Sequence, residues 1–376
     1  MNIGILTLPL HTNYGGILQA YALQTVLERM GHEVAVLNQN QDPIHYPATK
    51  ICLSFIKRIV WAILRRKMSK YFNIQKEEIE IKKSYSIINE NTYTFINRYI
   101  HQYLYRSLSN DVKRDSFDLL IVGSDQVWRP AYTRNIEDMF FGFAATWDVP
   151  KLAYAASFGT DSWEYSVTQT DNCSKLIKKF KAVSVREESG VKLCREHLGI
   201  SASHVLDPTM LLDKDDYSRL FSVNNADSIN KTLATYVLDY DDNKVSAIEK
   251  LSKELELKVL RLNSKVEDAT ATIEERIQPP VESWLAGLCY ADFVITDSFH
   301  ACVFCIIFHK PFYVLANSYR GVSRIASLLK IFGLENRMIT DVGECNVKER
   351  IDWKKIDKIR ANWKSHSLTF LTKNIV

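Results

Sequence analysis

The sequence predicts an α/β protein of two domains facing across a cleft, each built on a doubly wound parallel sheet, and three observations carry that expectation. Short apolar runs alternate with helical stretches along most of the 376 residues. Polar turns, several with glycine, follow the apolar runs, as they do at the carboxyl ends of parallel strands. The length exceeds what one core usually serves. With 46% hydrophobic and 24% charged residues, the composition excludes disordered and fibrous classes.

Taken in order, Ile3 to Leu8 reads as the first strand. The turn Asn13-Tyr14-Gly15-Gly16 leads to a helix from Ile17 to Met30, with Leu18, Ala22, Val26 and Leu27 on one side. Gly31 stops that helix, and Val34 to Leu37 is the second strand. Such an opening implies parallel strands joined by a right-handed crossover. Residues 40 to about 110 break the rhythm and read as a mostly helical insertion. The sheet resumes at Phe117 to Val122, with further strands at Lys151 to Ser157, Ala182 to Val185 and His204 to Leu206. Helices fall near Cys173 to Phe180 and at Glu188 to Leu198. Asp207-Pro208-Thr209 punctuates the chain, so 1–207 is assigned to the first domain.

The second domain, 208–345, holds strands at Leu233 to Val237, Lys258 to Leu262, Phe293 to Thr296 and Pro311 to Leu315. Its helices are Lys244 to Leu255, Ser283 to Ala291, Ala301 to Phe308 and Ser323 to Ile331. Residues 346–376 form a helical tail expected to pack back on the first domain. Two Rossmann-like halves meeting in this way place the ligand outside the carboxyl ends of their strands.

The seven cysteines are odd in number and scattered, and Met1 to Leu6 reads as a strand rather than a secretory leader. Reduced thiols in a cytoplasmic protein are expected. Net charge is only +4, but seven cations from Lys50 to Lys70 have no acidic residue among them. With Trp61 and neighbouring aliphatics, residues 50–70 suit either peripheral contact with an anionic membrane or a helix with basic edges packed on the domain. No nucleic-acid module accompanies the charge, so nucleic acid is not an expected partner. Walker, HExxH and GxSxG patterns are absent and no metal is expected. Cys302 and Cys305 form a CxxC on an apolar helix and read as core thiols; His11, His309 and Glu77-Glu78 have no evident partners.

Four strand ends carry the candidate chemistry. Gly15 and Gly16 suit close approach of an anion at a helix N-terminus, or simply a tight turn. In Gly123-Ser124-Asp125-Gln126-Val127-Trp128, Asp125 can accept from sugar hydroxyls, act as a base, or cap a helix. Arg186, after the 182–185 strand, suits bidentate capture of carboxylate or phosphate, or a surface pair with Glu187 or Glu188. His300, in Thr296-Asp297-Ser298-Phe299-His300, sits where the site should be and has an imidazole suited to proton transfer near neutral pH. Arg320 and Arg324 offer two more cations.

These strand ends, in this order and spacing, resemble the polysaccharide pyruvyltransferase family. The matching segments are Asn13 to Gln24, Gly123 to Trp128, Ser184 to Glu187, Leu206 to Thr209 and Thr296 to His300, covering about 1–38 and 115–335. The resemblance implies a GT-B-like fold, phosphoenolpyruvate as co-substrate and, as acceptor, a sugar of a cell-surface glycan or its lipid-linked precursor. It implies donor binding or catalysis by His300 and Arg186; the chemistry of the residues adds Asp125 as the group that orients or deprotonates the acceptor, and Arg324, Arg320, Gly15, Gly16 and Ser298 as further donor contacts. The acceptor is expected against Asn13, Tyr14, Gln126 and Trp128. Many family members carry arginine where this chain has Ser298. A sugar-nucleotide glycosyltransferase, using Glu282 or Asp297 for the nucleotide, and a non-catalytic glycan-binding protein are the competing readings.

Overall fold

A computed structural model describes residues 1–40, 84–221, 231–266, 268, 270–317 and 322–375. The basic segment 50–70 and Arg320 lie outside the described residues.

The first domain opens with β1 (Asn2–Leu6), α1 (Tyr14–Arg29) and β2 (Glu33–Gln39). Then come α2 (Glu90–Tyr99), β3 (Gln102–Tyr105), β4 (Leu119–Val122) and β5 (Lys151–Ala156). α3 (Val167–Ile177), β6 (Ala182–Val185), α4 (Glu188–Leu193) and the short β7 (Ser203–His204) follow. The seven strands form one parallel sheet in the order β3-β2-β1-β4-β5-β6-β7. β4 and β5 are buried throughout, which explains their apolar spelling, broken only by Lys151, whose ammonium donates to the Trp147 and Val149 carbonyls.

The second domain comprises β8 (Thr232–Tyr236), α5 (Asp242–Glu254), β9 (Lys258–Arg261), α6 (Val281–Tyr290) and β10 (Phe293–Thr296). It continues with α7 (Phe299–Ile307), β11 (Phe312–Leu315), α8 (Val322–Phe332) and β12 (Met338–Ile339). Its five-stranded parallel sheet runs β12-β11-β10-β8-β9. Last comes α9 (Trp353–Ile375), which returns to the first domain: Ser367 Oγ accepts from the Leu206 amide at 2.9 Å, and Phe370 packs beside Tyr154.

Three elements depart from the sequence expectation. β3 lies inside the stretch read as helical and adds a parallel edge strand beside β2. It is four residues long with Leu104 57% exposed, so it lacks the buried alternation that would announce it. α1 starts at Tyr14, because the Asn13 side chain caps the helix by accepting from the Gly16 amide at 3.3 Å. α7 starts at Phe299, capped by Ser298, which puts His300 in its first turn.

The two sheets share a core. Tyr14 stacks on Trp284 with centroids 5.2 Å apart, and its hydroxyl donates to the Pro279 carbonyl at 2.7 Å. Both rings are buried, so parting the domains would expose apolar surface at about 25 cal/mol per Å². The six described cysteines are free, with Cys302 and Cys305 deep in this core. Among the described residues no helix is long and apolar enough to cross a membrane.

Candidate functional site

Each sheet reverses its winding once, and the two reversals face each other. In the first domain the switch lies between β1 and β4, in the second between β8 and β10. Crevices at such points bind ligands. Here both open on one cavity of about 780 Å³, lined from the first domain by His11, Asn13, Asp125, Gln126 and Tyr132. The second domain supplies Asp239, Tyr240, Arg261, Asn263, Asp297, Ser298, His300 and Arg324, among others.

The floor beneath the cavity is a buried charge network. Arg186 leaves the end of β6 with its side chain fully enclosed. Its Nη1 donates to Asp207 Oδ2 at 2.7 Å and its Nη2 to Asp125 Oδ1 at 3.1 Å, and Glu187 lies 3.9 Å from its Nε. The Phe299 ring rests 4.6 Å from this guanidinium and 5.8 Å from that of Arg324. Burial opposes the charge on Arg186, but Asp207, Asp125 and Glu187 outweigh it and raise its pKa. Burial likewise opposes ionisation of Asp207, yet His300, Arg186 and Thr209 hold the carboxyl well below its usual range. Asp125 is also lowered: burial is overcome by Arg186, His300 and Arg324. Glu187 goes the other way, raised by burial despite the neighbouring arginines. Arg324 is lowered to about 10, first by burial and then by Arg186.

His300 crosses from the second domain onto this floor. Its Nε2 points at Asp207 Oδ2, 3.6 Å away, within ion-pair reach and slightly long for a hydrogen bond. The opposite edge of the ring lies on α1, where a Cβ at Gly15 would stand only 1.9 Å from Nδ1. Only glycine at position 15 admits the imidazole. A second glycine is equally constrained: Gly123 has φ +127°, and a Cβ there would lie 2.0 Å from the Tyr154 carbonyl oxygen. This tight passage turns the chain from β4 to Asp125, itself left-handed at φ +62°, a conformation aspartate tolerates better than most residues.

Of the residues expected from sequence, Asn13, Asp125, Gln126, Ser298, His300 and Arg324 line the cavity. Others do not, and the reasons are physical. Arg186 was expected to meet an anionic donor directly; it lies beneath the cavity, already paired with two carboxylates. Gly15 is covered by His300, and the Gly16 amide is taken by Asn13, so neither borders the cavity. Tyr14 is locked in the interdomain core. Trp128 is fully buried, its indole N–H donating to the Met139 carbonyl at 3.1 Å and its ring stacked on Phe140. Neither aromatic lines the cavity. Ser298 caps α7, its hydroxyl accepting from the Ala301 amide at 3.5 Å.

The sequence reading also passed over residues that matter. Asp207 appeared as chain punctuation and inside the matching segment Leu206 to Thr209, with no role of its own, although it directly follows the strand expected at His204 to Leu206. His11 had no evident partner in sequence, yet it lines the cavity, with its pKa lowered by burial and partly restored by Asp125. Tyr240 and Arg261 form a stacked pair at 3.8 Å on the second-domain wall. The strand-end rule, applied to every strand, would have reached Asp207, His11 and Arg261. Asp297, the nucleotide contact of the glycosyltransferase reading, accepts from the Leu238 amide at 2.8 Å, from that of Asp239, and from Asn317. Burial raises its pKa. Among the described residues no group of three His, Cys, Asp or Glu side chains is placed to hold a metal ion.

Comparison with solved structures supports the fold. The Staphylococcus aureus MnaA–UDP complex aligns with a TM-score of 0.51 at 14% identity, covering 91% of this chain and 85% of that one. Arabidopsis thaliana UGT89C1 complexed with UDP-L-rhamnose aligns with a TM-score of 0.53 at 8% identity, covering 98% of each chain. The fold is therefore the GT-B-like pairing of two Rossmann-like domains. No curated protein matches the sequence significantly. The family profile described as polysaccharide pyruvyl transferase matches residues 13–319, so that every strand-end motif except β1 itself falls within it. The chain belongs to the polysaccharide pyruvyl transferase family.

Proposed function

We propose that the protein transfers the enolpyruvyl-derived group of phosphoenolpyruvate to a sugar of a cell-surface polysaccharide or its lipid-linked precursor, releasing phosphate and forming a pyruvate ketal. The observation that carries this reading is the convergence of His300 and Arg324 from the second domain with Asn13 and Asp125 from the first on one cavity, beside the side-chain-capped N-termini of α1 and α7. Helix N-termini favour anions, and phosphoenolpyruvate brings two anionic groups. On the floor Arg186 and Arg324 face three carboxylates, Asp125, Asp207 and Glu187, of which only Glu187 has its pKa raised by burial. An anion there depends on the helix ends and on protonated His300.

Ketal formation protonates the methylene carbon of the enol, bonds the central carbon to a first sugar hydroxyl and expels phosphate; a second hydroxyl then adds. Of the two hydroxyl protons released, one balances the proton given to the methylene and the other leaves with phosphate. His300 delivers the first proton and recovers it from the attacking hydroxyl. Asp125 orients that hydroxyl; its lowered pKa suits accepting a hydrogen bond better than removing a proton. His11, Gln126 and Asn13 border the same corner. The acceptor occupies the wider part of the cavity toward Tyr240 and Arg261. The reaction belongs in the cytoplasm, where seven cysteines stay reduced.

The test incubates the protein with phosphoenolpyruvate, or with nucleotide sugars, and a panel of lipid-linked and synthetic glycosides. Phosphate release with a ketal mass gain is expected. Nucleotide release supports glycosyl transfer instead, and neither product supports a binding role. His300→Ala should lower turnover by roughly 10²–10⁴-fold while the far-UV spectrum is kept. Wild-type turnover by the folded variant removes His300 from the reaction.

A further inference from the structure

Building on that reading of His300, we infer that Asp207 is the positioning residue of the site: its carboxylate fixes the imidazole as the Nε2–H tautomer and leaves Nδ1 to exchange protons with the substrate.

Asp207 is built to stay in place. It caps the 3₁₀ turn Pro208–Leu211, and its Oδ1 accepts from the Thr209 amide at 3.0 Å and from the Thr209 hydroxyl at 2.6 Å. Its Oδ2 accepts from Arg186 Nη1 at 2.7 Å and from the Ser124 hydroxyl at 3.2 Å. Four donors from three residues leave this carboxylate, 2% exposed, almost no freedom. His300 Nε2 is buried with no hydrogen-bond partner, and the group it faces is Asp207 Oδ2. A bare Nε2 lone pair would confront an ionised carboxylate across 3.6 Å, whereas Nε2–H meets it favourably. An apo contact of this length can tighten when substrate binds.

The other edge of the ring follows from the same geometry. His300 lines the cavity, and of its two ring nitrogens only Nε2 is enclosed without a partner, so Nδ1, beside Gly15 at the start of α1, is the nitrogen left to the cavity; Phe299 meets the ring edge-on at 5.2 Å and 87°. With Nε2–H fixed, the imidazolium gives its Nδ1 proton to the enol methylene, and neutral Nδ1 then takes the proton of the attacking hydroxyl. Asp207 keeps its charge throughout.

A merely structural Asp207 would also pair with Arg186, so the test must read the imidazole itself. In protein labelled with ¹⁵N-histidine, at an alkaline pH beyond which the ring ¹⁵N shifts no longer move, two-bond ¹H–¹⁵N correlation reports which ring nitrogen carries the proton. The His300 signals are those missing from H300Q. Expected in the wild type is protonated Nε2 and bare Nδ1. In Asp207→Asn either amide orientation meets donors, from Thr209 on one side or Arg186 and Ser124 on the other, and with the carboxylate charge gone Nε2–H loses its preference and the Nδ1–H share rises. Turnover should fall roughly 10²–10⁴-fold with the KM for phosphoenolpyruvate nearly unchanged, as when the orienting aspartate of a serine-protease triad becomes asparagine. A wild-type Nδ1–H tautomer, or a tautomer unmoved in D207N, overturns the proposal. If D207N does not fold, the wild-type spectrum decides alone. If phosphoenolpyruvate is not a substrate, the activity reading fails while the tautomer result still stands.

Discussion

The two walls of the cleft are built differently. On the first-domain side the switch point is filled: Asp125, Arg186, Glu187 and Asp207 are buried and bind one another before any ligand arrives. On the second-domain side the switch point is open, with Arg261 and Lys265 exposed and Asn263, Ser264 and Tyr240 only partly covered. The difference separates two tasks. A network of fixed charges suits a reaction whose electrostatics must be set in advance, whereas a looser polar and aromatic wall suits acceptors of varied size. His300 and Arg324 join them, carried by the second domain but resting on the first domain's floor.

That contrast can be broken most severely at Arg186. Arg186→Met leaves Asp125 and Asp207 buried without their counter-ion, and stability should fall by about 3–5 kcal/mol, read by urea unfolding. A loss below about 1 kcal/mol would mean the floor is wetter or less coupled than described. Next in size is Gly15→Ala, which places a Cβ on the imidazole. The ring must move, and turnover should drop about 100-fold while urea stability changes far less than for Arg186→Met. Equal turnover would show that the position of His300 is not critical. The smallest effect belongs to the open wall. Tyr240→Ala combined with Arg261→Ala should raise the KM for the acceptor severalfold and leave that for phosphoenolpyruvate alone. Steady-state kinetics with each substrate varied in turn checks this, and a donor effect as large as the acceptor effect would erase the division between the walls.

Much of the fold was legible because parallel strands buried on both faces spell themselves as plain apolar runs. Phe293–Thr296 was found to the residue. β3 was not, since an edge strand with exposed Leu104 carries no such run. The candidate site was legible in position and less so in role. Strand ends pointed to His300, Asp125 and Arg324, all of which line the cavity. They also pointed to Arg186, Tyr14 and Trp128, which the fold buries; local sequence does not reveal which side of a turn faces solvent. Gly15 was read as admitting an anion or simply forming a tight turn; it makes room for an imidazole, a neighbour 285 positions away that no local pattern announces. Asp207 was hidden for a related reason, because its partners Arg186, Ser124 and His300 come from three separate segments.

The central claim is that an anionic enol donor seats where α1 and α7 meet. The most direct measurement is a crystal structure of the protein with phosphoenolpyruvate. The account predicts phosphate or carboxylate oxygens about 3 Å from the Arg324 guanidinium at that corner, with the methylene carbon facing His300 Nδ1. Phosphoenolpyruvate bound against the Tyr240 and Arg261 wall, or absent at millimolar concentration, would contradict it.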